Sequence, residues 1–167
     1  MHFTCNEDHA SSILARVHMK KKLLWLDDFR DPNAFIGKGK ELQPITWLEK
    51  YNPLDRKCIL QVFWVKNYNE FVLWIERNGL PDAICFDHDL GEEHIKYYFE
   101  NGGHANPPDP SKANFKEKTG FDCAKWLIEY CIDKKLKLPV YNIQSANSVG
   151  KENINGLLLS FNKFNAE

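Results

Sequence analysis

Leu23-Leu24-Trp25-Leu26-Asp27-Asp28 decides how the rest of the chain is read. An apolar run without polar alternation, closed by two carboxylates, is the pattern of a strand buried on both faces that ends in a polar loop. The same construction returns twice. Ala83-Ile84-Cys85-Phe86 is closed by Asp87-His88-Asp89-Leu90-Gly91, and Leu138 to Ile143 is closed by Gln144-Ser145-Ala146-Asn147-Ser148-Val149-Gly150. A fourth stretch, Cys58 to Val65, is rich in the β-branched and aromatic residues that suit a strand.

Helical spacing fills the intervals. Asn67 or Asn69 can cap a helix carrying Phe71, Val72, Trp74 and Ile75, ended by Gly79 with Pro81 beyond it. Thr119-Gly120-Phe121-Asp122 opens a second helix, with Ala124, Leu127, Ile128 and Cys131 on one face. Ile154, Leu157, Leu158, Phe161 and Phe164 mark a last amphipathic helix. Asn33 to Lys57, which follows Pro32, is less regular and holds one short helix. Strands alternating with helices predict right-handed β-α-β units, and so an α/β fold around a parallel sheet of four strands, or five.

The 167 residues suit one domain with a core of its own, and 43% hydrophobic with 27% charged residues is a globular composition. Residues 1–19 are polar and mixed, and Met19 precedes Lys20-Lys21-Lys22; the expectation is an N-terminal extension over 1–19 and the domain over 20–167. Within that domain, residues 92–118 lose all periodicity. They hold Gly102-Gly103, Pro107-Pro108, Pro110 and the aromatic group Tyr97, Tyr98, Phe99, and read as a long insert of the lid or binding-loop kind. A net charge of −1 argues against holding long double-stranded nucleic acid, while leaving a nucleotide or a single RNA end open. Five cysteines without C-x-x-C spacing, three of them in apolar runs, suit small core residues in a reducing cytoplasm. No run reaches the roughly 18 apolar residues of a membrane span.

In open parallel sheets ligands bind beyond the carboxyl ends of the strands. That rule gathers the loops Asp27–Arg30, Asp87–Gly91 and Gln144–Gly150. Asp27, Asp28, Asp87 and Asp89 would then stand close together, and carboxylates so placed repel one another unless protons or a cation intervene. An all-oxygen donor set of this kind suits Mg²⁺ or Mn²⁺. If the strand pleat continues, His88 points away from Asp87 and Asp89; it serves either as a general acid or base or as a loop-fixing hydrogen-bonding residue. Ser145 and Asn147 can donate to phosphate oxygens, Gly150 lets the backbone come close, and Arg30 is a candidate phosphate clamp. Ordinary turn chemistry accounts for Ser145, Asn147 and Gly150 as well.

Strand-Asp-Asp, strand-Asp and strand-Ser at successive sheet edges resemble the receiver domains of response regulators, which are flavodoxin-like three-layer sandwiches. The resemblance implies Asp27 and Asp28 as a Mg²⁺-binding pair, Asp87 as a third ligand or phosphoryl acceptor, and Ser145 as a phosphoryl contact. The receivers' lysine after a fifth strand has no counterpart. From about Leu23 to Leu158 the chain is more similar to the cyclic-phosphate processing receiver-like family. That likeness is carried by Leu24-Trp25-Leu26-Asp27-Asp28-Phe29-Arg30-Asp31-Pro32, Phe86-Asp87-His88-Asp89-Leu90-Gly91, Thr119-Gly120-Phe121-Asp122 and Ser145-Ala146-Asn147-Ser148-Val149-Gly150. Gln144 stands where that family often has a histidine.

The family is associated with RNA repair and with phage or conflict systems. The resemblance therefore implies a metal-assisted phosphoesterase acting on a nucleotide or RNA end that bears a 2′,3′-cyclic phosphate. In that expectation Asp27, Asp28 and Asp87 hold the metal, and Asp87, His88 and Asp89 carry the chemistry. Arg30, Ser145, Asn147 and Gly150 hold the phosphate. The alternative is a non-catalytic receiver-like module that binds a phosphorylated ligand or protein partner.

Overall fold

The computed structural model describes residues 20–36, 45–91, 96–97, 100–102 and 117–165. The expected extension over 1–19 and most of the expected insert over 92–118 lie outside these residues. Four strands form one parallel sheet: β1 (Lys20–Leu26), β2 (Ile59–Val65), β3 (Ala83–Phe86) and β4 (Val140–Ile143), in the order β2-β1-β3-β4. This is the flavodoxin-like arrangement, and its order reverses between β1 and β3.

Among the described residues the helices with defined bounds are α1 (Trp47–Tyr51), α2 (Tyr68–Asn78), α3 (Gly120–Lys134) and α4 (Ser148–Phe164). Their starts follow local chemistry. Thr46 and Glu49 make a capping box on α1, Asn67 accepts from the Glu70 amide on α2, and Thr119 with Asp122 makes a second capping box on α3. Asn147 caps α4 by accepting from the Gly150 amide. Gly79, at φ +74, closes α2 in a conformation that favours glycine.

Topology makes the two faces of the sheet unequal. The connections β2-α2-β3 and β3-α3-β4 advance in one direction, and a right-handed crossover puts both helices on one face. There α2, α3 and α4 pack Phe71, Ile75, Leu127, Cys131, Ile154 and Leu158 on Leu24, Leu26, Ile84, Phe86 and Ile143. The connection β1-α1-β2 runs back the other way and covers the other face. Its core is small: Leu23, Trp25, Ala83 and Cys85 are buried under Trp47, Leu48, Tyr51 and Leu54.

Some boundaries differ from expectation. β1 begins three residues early, because Lys20, Lys21 and Lys22 pair with Ile59, Leu60 and Gln61, and Asp82 accepts from both the Lys21 ammonium and the Lys22 amide. β4 starts at Val140 rather than Leu138. Phe164, expected on the apolar face of the last helix, is 81% exposed. Cys85, Cys123 and Cys131 are buried, and burial pushes their thiols up, so they are inert packing groups. Among the described residues no helix is long and apolar enough to cross a membrane.

Candidate functional site

The strand pleat runs on past the last ladder pairs, and this sorts the edge residues by face. Asp27 and Asp87 continue the alternation of Trp25 and Cys85 and turn toward the thin face. Each backbone amide remains in the ladder: Asp27 donates to the Val65 carbonyl and Asp87 to the Leu26 carbonyl, at 3.1 and 2.9 Å. Gln144 does the same on the third strand, donating to Phe86 at 2.8 Å. Three buried polar side chains therefore meet at the switch point between β1 and β3 and its β4 neighbour.

Arg30 lies at their centre. Its Nε donates to Asp27 Oδ2 at 2.7 Å, its Nη2 pairs with Asp87 Oδ2 at 2.6 Å, and its Nη1 donates to the Gln144 carbonyl at 2.8 Å. The guanidinium also stacks 5.4 Å from the Trp47 ring centroid. Arg30 was expected to clamp phosphate; the structure spends all three of its nitrogens within the cluster. The carboxylates are oriented from behind as well. Asp27 Oδ1 accepts from the amides of Phe29 and Arg30, Asp87 Oδ1 from the His88 amide, and Asp28 Oδ2 from the Gly91 amide. Two indoles fix the backbone beneath: Trp64 donates to the Asp27 carbonyl at 2.6 Å and Trp25 to the Arg30 carbonyl at 3.0 Å.

One arginine does not neutralise this edge. Burial, then the Asp87 charge, pushes the Asp27 carboxyl up from 3.8 to about 6, against the opposing pull of Arg30. Burial likewise pushes Asp87 up, although Arg30 and the Ser145 hydroxyl draw it down. Asp27, Asp28 and Asp87 each present an oxygen, and these atoms all lie within 4.8 Å of one another. Gln144 donates its amide to Asp27 Oδ2 at 3.2 Å, and its own Oε1 is buried without a hydrogen-bond partner. Excess negative charge on hard oxygen donors, with an unused acceptor beside them, fits a small divalent cation that keeps some of its waters.

His88 faces the other way, as expected relative to Asp87. Its ring is buried against Gly150 of α4, where any side chain on residue 150 would strike the imidazole. Its relation to Asp89 departs from the expected pleat: the chain turns after His88, and Nδ1 lies 2.6 Å from Asp89 Oδ1. That carboxylate accepts the Nδ1 proton and also accepts from the Asn147 amide at 3.2 Å. Asn147 caps α4 at the same time, so its polar atoms are engaged within the protein. Gly150 provides space for His88. Of the expected phosphate contacts other than Arg30, Ser145 is the one near Asp87 and partly exposed, with its Oγ accepting from the Asn147 backbone amide.

Two short tethers complete the edge. The Gly120 amide donates to the His88 carbonyl at 2.7 Å, and α3 can approach so closely only because a Cβ at 120 would collide with the Asp87 carbonyl oxygen. At Gly91, φ +119, the absent side chain leaves room for the Glu117 carboxylate. Sequence reasoning identified the acidic residues but not the indoles of Trp25 and Trp64 or the amide of Gln144. The available signal was strand parity, which puts Trp25, Asp27, Trp64 and Gln144 on one face.

No curated protein and no solved structure matches this chain. Over residues 22–160, which take in β2, β3, β4, all of β1 after Lys21 and every carboxylate of the cluster, the chain does match the cyclic-phosphate processing receiver domain, and it belongs to that family.

Proposed function

We propose that this protein is a divalent-metal-assisted phosphoesterase that opens a 2′,3′-cyclic phosphate on a nucleotide or RNA end. The observation that carries the reading is the carboxylate cluster of Asp27, Asp28 and Asp87 at the switch point, with Asp27 and Asp87 buried and Asp28 partly so, and short of positive charge. Family membership supports the substrate class.

Asp27, Asp28 and Asp87 would hold Mg²⁺ or Mn²⁺; when bound, the cation polarises a phosphoryl oxygen and lowers the pKa of a water. Arg30 favours the ionised forms of Asp27 and Asp87 against their burial and fixes both in direction through its fork. The Ser145 hydroxyl is placed to donate to a non-bridging phosphoryl oxygen. Hydrolysis adds a water oxygen to phosphorus, breaks one bond from phosphorus to a ribose oxygen, and moves one proton to that oxygen. Asp89, with its side chain 20% exposed, is better placed to relay the proton than the buried His88. His88 fixes the loop by tying Asp89 down against α4.

A non-catalytic phosphate-binding module is the second reading. Gln144, which replaces the histidine frequent in the family and cannot transfer a proton, favours it. Phosphorus NMR of 2′,3′-cyclic nucleotides and a short cyclic-ended RNA decides between them. Conversion to one monoester, lost with EDTA and in Asp87→Asn, is the expected result. Binding without conversion across several divalent metals would leave the module.

A further inference from the structure

We propose that the cleft beside the carboxylate cluster is a second phosphate subsite, so that the preferred substrate carries another phosphate on the 5′ side of the cyclic one. The substrate is then an oligonucleotide end or a 5′-phosphorylated cyclic nucleotide rather than a bare nucleoside cyclic phosphate. This rests on the phosphoesterase reading above.

The cleft has a volume of about 610 Å³, ample for a nucleotide, and begins at Asp28 itself. It is lined by groups of both charges. Asp28 and Glu117 flank Gly91, the first bonded to its amide and the second packed on its Cα. Lys66 and Lys118 line the same cleft. Lys66 lies 4.5 Å from the Trp64 ring centroid and Lys118 lies 3.7 Å from that of Tyr68. Neither ammonium has a carboxylate within 4.0 Å among the described residues. The rings position the two cations without neutralising them. The start of α2 also lines the cleft, through its cap Asn67 with Tyr68 and Asn69, and adds the partial positive charge of a helix start.

A ligand that fills the cleft is thus asked for a metal-seeking group beside Asp28 and an anion beside the lysines. A nucleotide with two phosphates meets both demands. The cleft offers little to a base: the Tyr68 ring packs on the core and carries Lys118 on its face, so it is no open stacking platform. Recognition by charge should therefore be nearly indifferent to base identity.

The test compares cytidine 2′,3′-cyclic phosphate with the same compound bearing a 5′-phosphate. The expected result is a kcat/KM ratio of about tenfold or more favouring the second, carried by KM. The ratio should fall toward one in Lys66→Gln/Lys118→Gln and at about 0.5 M salt. A ratio near one in the unaltered protein, or one the double variant does not change, overturns the subsite while leaving the phosphoesterase intact. If neither compound is hydrolysed, the phosphoesterase reading fails, and equilibrium binding judges the subsite separately. Cytidine 3′,5′-bisphosphate binding about tenfold tighter than cytidine 3′-monophosphate, with the gain lost in the double variant, sustains it. Equal binding refutes it.

Discussion

The two faces of the sheet have divided the labour of this protein. One carries α2, α3 and α4 over a continuous apolar core. The other has, among the described residues, the short α1 and four buried apolar residues, yet it is the face toward which Asp27, Asp87, Arg30 and Gln144 turn. On the thick face a side chain contributes by the area it removes from water. On the thin face Trp25, Trp47 and Trp64 contribute through indole N–H groups and a ring face aimed at the site. Folding free energy and site geometry are therefore separable by position, even though both faces share the same four strands.

The largest effect that would test this separation is on the thick face. Leu127→Ala, at a side chain 1% exposed, should cost about 2–5 kcal/mol in denaturant unfolding. In the folded fraction, metal affinity should stay as in the unaltered protein. A parallel loss of metal affinity would break the separation.

A smaller effect comes from the charge held at the edge. Because the Asp27 carboxyl sits at about 6 when folded and 3.8 when unfolded, the folded state binds the proton more tightly. The sign follows: this contribution to stability is greatest below the unfolded value, declines as pH rises through about 6, and is constant above it. The decline is at most on the order of 3 kcal/mol, since Asp87 shares the strain and Arg30 relieves part of it. Mg²⁺ competes with those protons. It should raise the Tm more at about pH 7.5 than at about pH 5, and Asp27→Asn should flatten the difference. Equal Tm shifts at both pH values would mean that Arg30 alone satisfies the cluster.

The smallest effect on stability sharpens the comparison most. Trp64→Phe keeps an aromatic ring on the thin face and removes the donor to the Asp27 carbonyl. The unfolding free energy should fall by only about 1 kcal/mol, while metal affinity falls about tenfold because the Asp27 backbone is no longer fixed. Calorimetric metal titration beside the unfolding curve measures both. Loss of stability without loss of affinity would return Trp64 to the role of a packing residue.

How far the sequence could be read follows the same division. The thick face was legible because its helices repeat apolar residues at helical spacing and announce their starts, with Asn67 and Thr119 capping as expected. The carboxylates were legible because each follows a run of buried residues. The thin face was not, since α1 is a single turn and its partners come from irregular chain. Arg30 shows the limit most clearly. An arginine near two aspartates in space was readable as a phosphate clamp, but only the packing reveals that the Gln144 carbonyl and both carboxylates fill its fork. For His88 the sequence offers both catalysis and loop-fixing, and what it does not show is that the helix bearing Gly150 lies against the ring.

The tethers at Gly91 and Gly120 have an evolutionary consequence. Both ends of the chain between them are fastened to the loops that carry the carboxylates, one to Asp28 and the other to the His88 carbonyl. A segment whose endpoints are already held together can change length cheaply: doubling it adds only about 0.6 kcal/mol of closure entropy. Lineages can therefore exchange the whole stretch, and with it whatever it selects, while inheriting the acidic centre unaltered. The two glycines act as a socket into which new specificities can be plugged.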